Sequence, residues 1–351
     1  MNADLVPGSS TASASSEWHV SGAPGPIFIG GLDRSGKTTM RAFLTSHPNV
    51  AIPAVGSNME TYFYGRFGDL AAPRNLDRCL GAMLRYKHVR FLRPDPERIR
   101  REFRAGPATY ERLFSLFLIH HAEREGKPRW GAQTSLIERY ADELFASFPE
   151  AKVVHMVRDP RDRYAASLEL WPDGRGRAGG ATARWSCSMR LAELNLRRYP
   201  DAYLVVRFED LLRDPEACVR EVCAFVGETF DPVMLDMPDA PEHRKKLAGG
   251  HPSDEVALST TFIGRYRQVV PRRELMFMQG RLAERMRAYG YTPEPLRPTL
   301  GERVSFWALE WPSQSSRMTA WRMVEWFQQR FPSVVPRRPG SRMIVDPEER
   351  P

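Results

Sequence analysis

One stretch constrains this 351-residue chain more than any other: Pro26-Ile27-Phe28-Ile29-Gly30-Gly31-Leu32-Asp33-Arg34-Ser35-Gly36-Lys37-Thr38-Thr39-Met40. Ile27 to Ile29 form a short apolar run bounded by Pro26 and two glycines, the pattern of a buried parallel strand. Met40, Phe43 and Leu44 then recur on one helical face until Pro48 ends the pattern. Between strand and helix, small residues let successive backbone N–H groups turn towards one oxyanion, and the helix N-terminus adds partial positive charge. Arg34 and Lys37 supply full charges beside the hydroxyls of Ser35, Thr38 and Thr39. The stretch therefore predicts an anion-binding loop between a strand and a helix.

Further strand and helix patterns alternate along the chain. Val50 to Pro53 reads as a second short strand, and the aromatic cluster Tyr62-Phe63-Tyr64 follows Glu60 directly. A carboxylate against aromatic walls loses water, which raises its pKa towards a value suited to proton transfer. Helical spacing dominates from Leu76 to Arg124, with His120 and His121 near a helix end where a cation favours the dipole. The strand Val153 to Val157 runs into Arg158, Asp159, Arg161, Asp162 and Arg163. Ligands of open parallel sheets bind at the carboxyl ends of strands, so Arg158 is a second anion-binding candidate. Tyr203 to Phe208 predicts another strand, followed by a helix near residues 215–226 with Pro215 at its start and Gly227 after its end. This alternation predicts a three-layer α/β domain of the phosphate-loop type, with a central mostly parallel sheet and helices on both faces.

Residues 1–25, rich in Ser, Ala, Gly and Pro, read as a flexible leader, residues 26–292 as the phosphate-loop domain, and residues 293–351 as a Trp/Arg-rich C-terminal extension. Half of the eight tryptophans lie in that extension, where packing on the core or in a homo-oligomer is the expected role. Binding an apolar acceptor or lying against a membrane surface as a peripheral contact are its alternative roles. The chain carries a net charge of +8. The basic run Arg85 to Arg104 reads as a solvated helix face, because base-stacking aromatics are not interleaved with it, and nucleic acid is not expected as a partner. Cys79, Cys187, Cys218 and Cys223 lack metal-ligand spacing and are expected as reduced thiols. With no signal segment and no long apolar run, a cytoplasmic location without a transmembrane segment is expected.

Four segments together resemble the PAPS-dependent sulfotransferases, in particular a bacterial branch similar to the tyrosylprotein enzymes. They are Gly31 to Arg41 with His47-Pro48-Asn49-Val50, Phe148 to Lys152 running into Val157-Arg158-Asp159-Pro160-Arg161-Asp162, Phe208 to Glu216, and Ile263-Gly264-Arg265-Tyr266. The resemblance covers residues 26–292. It implies transfer of a sulfuryl group from 3′-phosphoadenosine 5′-phosphosulfate (PAPS) to a hydroxyl, less often an amine. The acceptor is expected to have an aromatic or apolar part, and no metal is expected. By resemblance, Arg34, Ser35, Gly36, Lys37, Thr38 and Thr39 hold the 5′-phosphosulfate, and Arg158, a helix serine and Arg265 complete the cofactor site. The usual serine position, eight residues beyond Arg158, is Ala166 here; the hydroxyl is on Ser167, about 100° further round a helix. Glu60 falls where relatives place a carboxylate base, and Lys37 and Arg34 are the expected charge stabilisers. Many relatives carry a lysine where this chain has Gln133, so Lys37 is expected to have taken over that cationic task.

Two other readings stay open at this level. Gly31-x-x-x-x-Gly36-Lys37-Thr38 also satisfies the triphosphate-loop pattern, so a nucleotide-dependent kinase or triphosphatase fits, with Thr38 on Mg²⁺. Such an enzyme needs an acidic residue at a neighbouring strand end, where this chain has Arg158 before Asp159. A non-catalytic nucleotide-binding or nucleic-acid-binding protein is the third.

Overall fold

In a computed structural model, residues 24–241, 243 and 259–345 are described. The expected leader lies outside them except for residues 24 and 25, as does the basic loop at 242–246 except for His243. Five strands build the sheet: β1 (Ile27–Gly30), β2 (Val50–Ala51), β3 (Arg129–Gln133), β4 (Lys152–Val157) and β5 (Tyr203–Arg207). Their order is β2-β3-β1-β4-β5, and every neighbouring pair is parallel. Because β1 is flanked by β3 on one side and β4 on the other, the chain changes direction across the sheet at β1. The crevice at such a switch point is where an open α/β sheet binds ligands.

Successive strand residues face opposite sides, which makes the three layers. Phe28 packs with Phe63, Leu80, Phe117 and Phe148 on one face, under the helices Pro73–Leu84, Tyr110–Arg124 and Ala141–Ser147. Ile27 and Ile29 pack with Met40, Phe43, Val219 and Val222 on the other, under Lys37–Thr45 and Pro215–Val226. Both layers agree with the apolar periodicity of the sequence.

The segment after residue 292 packs on preceding helices. Its helix Trp311–Arg330 lies along Ala178–Arg198, and Trp311 stacks edge-on against Phe277 and Phe306. Core packing thus accounts for Trp311, whereas Trp307 and Trp326 remain exposed. All four cysteines are free thiols. Among the described residues no helix is long and apolar enough to cross a membrane.

Candidate active site

The loop after β1 is held open by backbone geometry. Gly31, Arg34 and Gly36 all have positive φ, at 99°, 68° and 93°. A Cβ on Gly31 would stand 2.2 Å from the Met156 carbonyl oxygen, and one on Gly36 would stand 2.2 Å from the Phe208 ring, so side chains are excluded at both. Gly36 also begins the helix Lys37–Thr45 without a side-chain cap, which leaves first-turn N–H groups for a ligand.

A cleft of about 310 Å³ opens over this loop. Its walls include Arg34, Gly36, Lys37, Thr38 and Thr39 from the loop and helix, Asn58, Gln133 and Ser135 from the β3 side, and Arg158 and Phe208 from the β4 and β5 side. Ser35 is buried beneath it. Arg158 leaves β4 with its guanidinium turned to the loop: Nη1 donates to the Arg34 carbonyl at 3.1 Å and Nη2 to the Phe262 carbonyl at 2.8 Å. Its guanidinium carbon lies 5.0 Å from the centre of the Phe208 ring. Burial lowers its pKa, which Asp162 and Glu209 only partly oppose. Among the described residues, Arg34 Nε and Gln133 Oε1, buried beside the cleft, have no hydrogen-bond partner. Phosphate oxygens suit the first.

Lys37 sits deep in the cleft. Its Nζ donates to the Gly31 carbonyl at 2.9 Å and to Ser135 Oγ at 2.6 Å, and lies 3.7 Å from Asp33. Burial lowers its pKa against the pull of Asp33 and Glu138. Ser135 donates in turn to Asp33. Loss of water raises the Asp33 pKa, but Lys37, the Ser135 hydroxyl, Arg163 and Arg184 outweigh it and hold the carboxyl below its usual range. Asp33 is thus an ionised carboxylate at the mouth of the cleft.

A model described as the sulfotransferase family matches residues 26–232. The chain belongs to the sulfotransferase family. It is 27% identical over 113 residues to sulfotransferase 2A1 of Rattus norvegicus, a match covering 28% of this chain and 38% of that protein. Carbohydrate sulfotransferase 5 of Mus musculus is 32% identical over 105 residues, 24% of this chain and 26% of the relative. The chain therefore spans well under half the length of the curated relatives it matches. Among solved structures, the sulfotransferase domain from the curacin biosynthetic pathway shares the fold, with a TM-score of 0.50 at 15% identity over 78% of this chain and 99% of that one.

In this sulfotransferase-family chain the expected site residues do not all converge. Arg34, Gly36, Lys37, Thr38, Thr39 and Arg158 meet in the cleft. Ser167 does not: its hydroxyl donates to the Arg163 carbonyl at 3.0 Å and it lines a neighbouring cavity, as the extra 100° of helical turn implies. Arg265 stands outside, paired with Glu169 at 2.5 Å. Glu60 lines a small, mostly aromatic and aliphatic cavity with Phe28, Phe114, Trp130 and Tyr140, on the Phe28 face of the sheet. Its Oε2 accepts from Thr134 Oγ1 at 3.1 Å, and Thr134 Oγ1 meets Ser57 Oγ at 3.2 Å; Glu60 is not among the residues lining the cleft. Asp33, Ser135 and Phe208 lie in stretches that sequence reasoning considered, but it gave them no site role; a carboxylate inside the anion loop was the available signal for the first.

Burial, opposed weakly by its own backbone and by Thr134, pushes the Glu60 pKa up to about 7. Between pH 4.5 and about 7 the folded state keeps a proton that the unfolded state releases, so this group costs stability increasingly as pH rises through that window. Glu60→Gln is therefore expected to stabilise the protein at pH 8, by roughly 3 kcal/mol, and to change little at pH 5. Thermal unfolding at the two pH values measures the difference, and equal effects at both would contradict the assignment.

Proposed function

We propose that the chain transfers a sulfuryl group from PAPS, bound in the cleft, to an acceptor hydroxyl by in-line displacement. The observation that carries this reading is Arg158: a buried guanidinium at the end of β4, aimed at the anion loop and without an ion-pair partner among the described residues. A 3′-phosphate on Arg158 and a 5′-phosphosulfate on the loop amides, Arg34 and Lys37 would satisfy two anion sites in one ligand. The Phe208 ring, already beside Arg158, offers an apolar surface to the nucleoside.

Asp33, rather than Glu60, is the base that geometry favours, because Asp33 lines the cleft while Glu60 lines a separate cavity. Asp33 accepts the hydroxyl proton as the acceptor oxygen bonds to sulfur and the bond from sulfur to the bridging phosphate oxygen breaks. Lys37 and the first-turn amides stabilise the charge that builds on that departing oxygen. No step calls for a metal. The triphosphatase reading loses its metal ligand: both Asp159 oxygens are taken by Arg161, through its backbone N–H at 2.9 Å and its guanidinium at 3.0 and 2.7 Å. The free thiols suit a reducing cytoplasm.

Incubation with PAPS and a panel of phenols and alcohols, in excess EDTA, tests the reading. Acceptor-dependent release of 3′-phosphoadenosine 5′-phosphate (PAP) that EDTA leaves intact is expected; nucleotide hydrolysis that EDTA abolishes would overturn it.

A further inference from the structure

A second cavity of about 450 Å³ adjoins the cleft and shares Asp33 and Trp171 with it. Three helices enclose it: Pro160–Leu170 contributes Arg163, Ala178–Arg198 contributes Arg184, and the C-terminal helix Trp311–Arg330 contributes Arg317 and Trp321. Arg177 completes a set of four arginines lining one space, and Asp33 is the one acidic residue among the described residues lining it. None of the four has an ion pair or a side-chain hydrogen bond among the described residues.

Arg177, Arg184 and Arg317 are exposed, and for them water is partner enough. Arg163 differs. It is only 4% exposed, and its Nε has no hydrogen-bond partner among the described residues. Burial, then Arg184, pushes its pKa down to about 10 against the pull of Asp33, so it stays charged at neutral pH. A buried unpaired cation destabilises a fold, so its presence at a cavity wall points to an anion that completes the pair in use.

We propose that this cavity receives the acceptor, and that Arg163 and Arg184 grip an anionic group on it, a carboxylate or a phosphate or sulfate ester, between Trp171 and Trp321. The inference rests on the sulfuryl-transfer reading of the adjoining cleft, because Asp33 at the junction then meets the acceptor's hydroxyl. It also gives the C-terminal extension a part in acceptor choice: Arg317 and Trp321 form the far wall.

The test is calorimetric titration of the protein saturated with PAP, so that phosphate sites of the donor are filled. The probes are 4-hydroxyphenylacetate, 4-hydroxyphenyl phosphate and the neutral 4-hydroxyphenylacetamide. At least one anionic probe is expected to bind about tenfold or more tightly than the amide. Arg184→Gln, a surface change, should bring the ratio to near one with PAP affinity kept. Arg163→Met should do the same and raise the melting temperature, since it removes an unpaired buried charge. Equal binding of charged and neutral probes, no binding of any, or a preference that survives both substitutions would overturn the proposal. Failure of PAP itself to bind would overturn the reading of the cleft instead. The probes are then titrated into the protein alone, where the same Arg184-dependent preference supports the anion site and its absence overturns it.

Discussion

Replacing Lys37 with alanine is expected to lower kcat by about 10²–10³-fold, with a much smaller change in PAP affinity. Lys37 lines the cleft, and its Nζ is positioned by the Gly31 carbonyl and Ser135 Oγ. An ammonium so fixed needs no reorganisation as charge appears on the departing phosphate oxygen, and most of its interaction is realised there rather than in the bound donor. Gln133, at the end of β3, carries no charge to share the task. Steady-state kinetics and PAP titration of the variant separate the two effects. A kcat within about threefold of wild type would contradict the role.

Asp33→Asn is expected to cost about 10²–10⁴-fold in kcat, the range for loss of a positioned general base. The pH profile distinguishes the two carboxylates. Lys37, Ser135, Arg163 and Arg184 keep Asp33 ionised across the neutral range, so an Asp33 base predicts a rate that does not fall as pH drops from about 8 to about 6. A base must be deprotonated to act. If Glu60, at about 7, were the base, the rate would fall about tenfold for each pH unit below that value.

Much of this architecture was legible in the sequence because its causes are local. The run Ile27-Phe28-Ile29, the glycines and the helix pattern through Leu44 are consecutive, and they form β1, the open loop and its helix. Arg158 was legible for a similar reason: an apolar strand ending in charge places that charge at the carboxyl edge of the sheet, which is where it stands. Glu60 shows where local reasoning stops. Its aromatic surroundings implied a raised pKa, but the rings that surround it include Phe28, Phe114 and Trp130, brought together by the sheet and the helix Tyr110–Arg124 around a cavity separate from the cleft. Sequence proximity to the loop helix could not reveal that orientation. Ser167 illustrates helical phase, since one residue of shift moves its hydroxyl out of the cleft and into the neighbouring cavity. Arg163 and Trp321 were illegible as a pair because they are 158 residues apart and meet only through the packing of the C-terminal helix on Ala178–Arg198.

The donor site is the claim on which the rest depends, and calorimetric titration with PAP, set beside ATP with Mg²⁺ and repeated on Arg158→Ala, tests it most directly. Removing one partner of a buried charge-assisted contact costs about 2–5 kcal/mol, so PAP should bind the wild type in preference to ATP and lose about 30- to 10³-fold or more in the variant. Preference for ATP with magnesium, or PAP affinity unchanged in Arg158→Ala, would contradict the account.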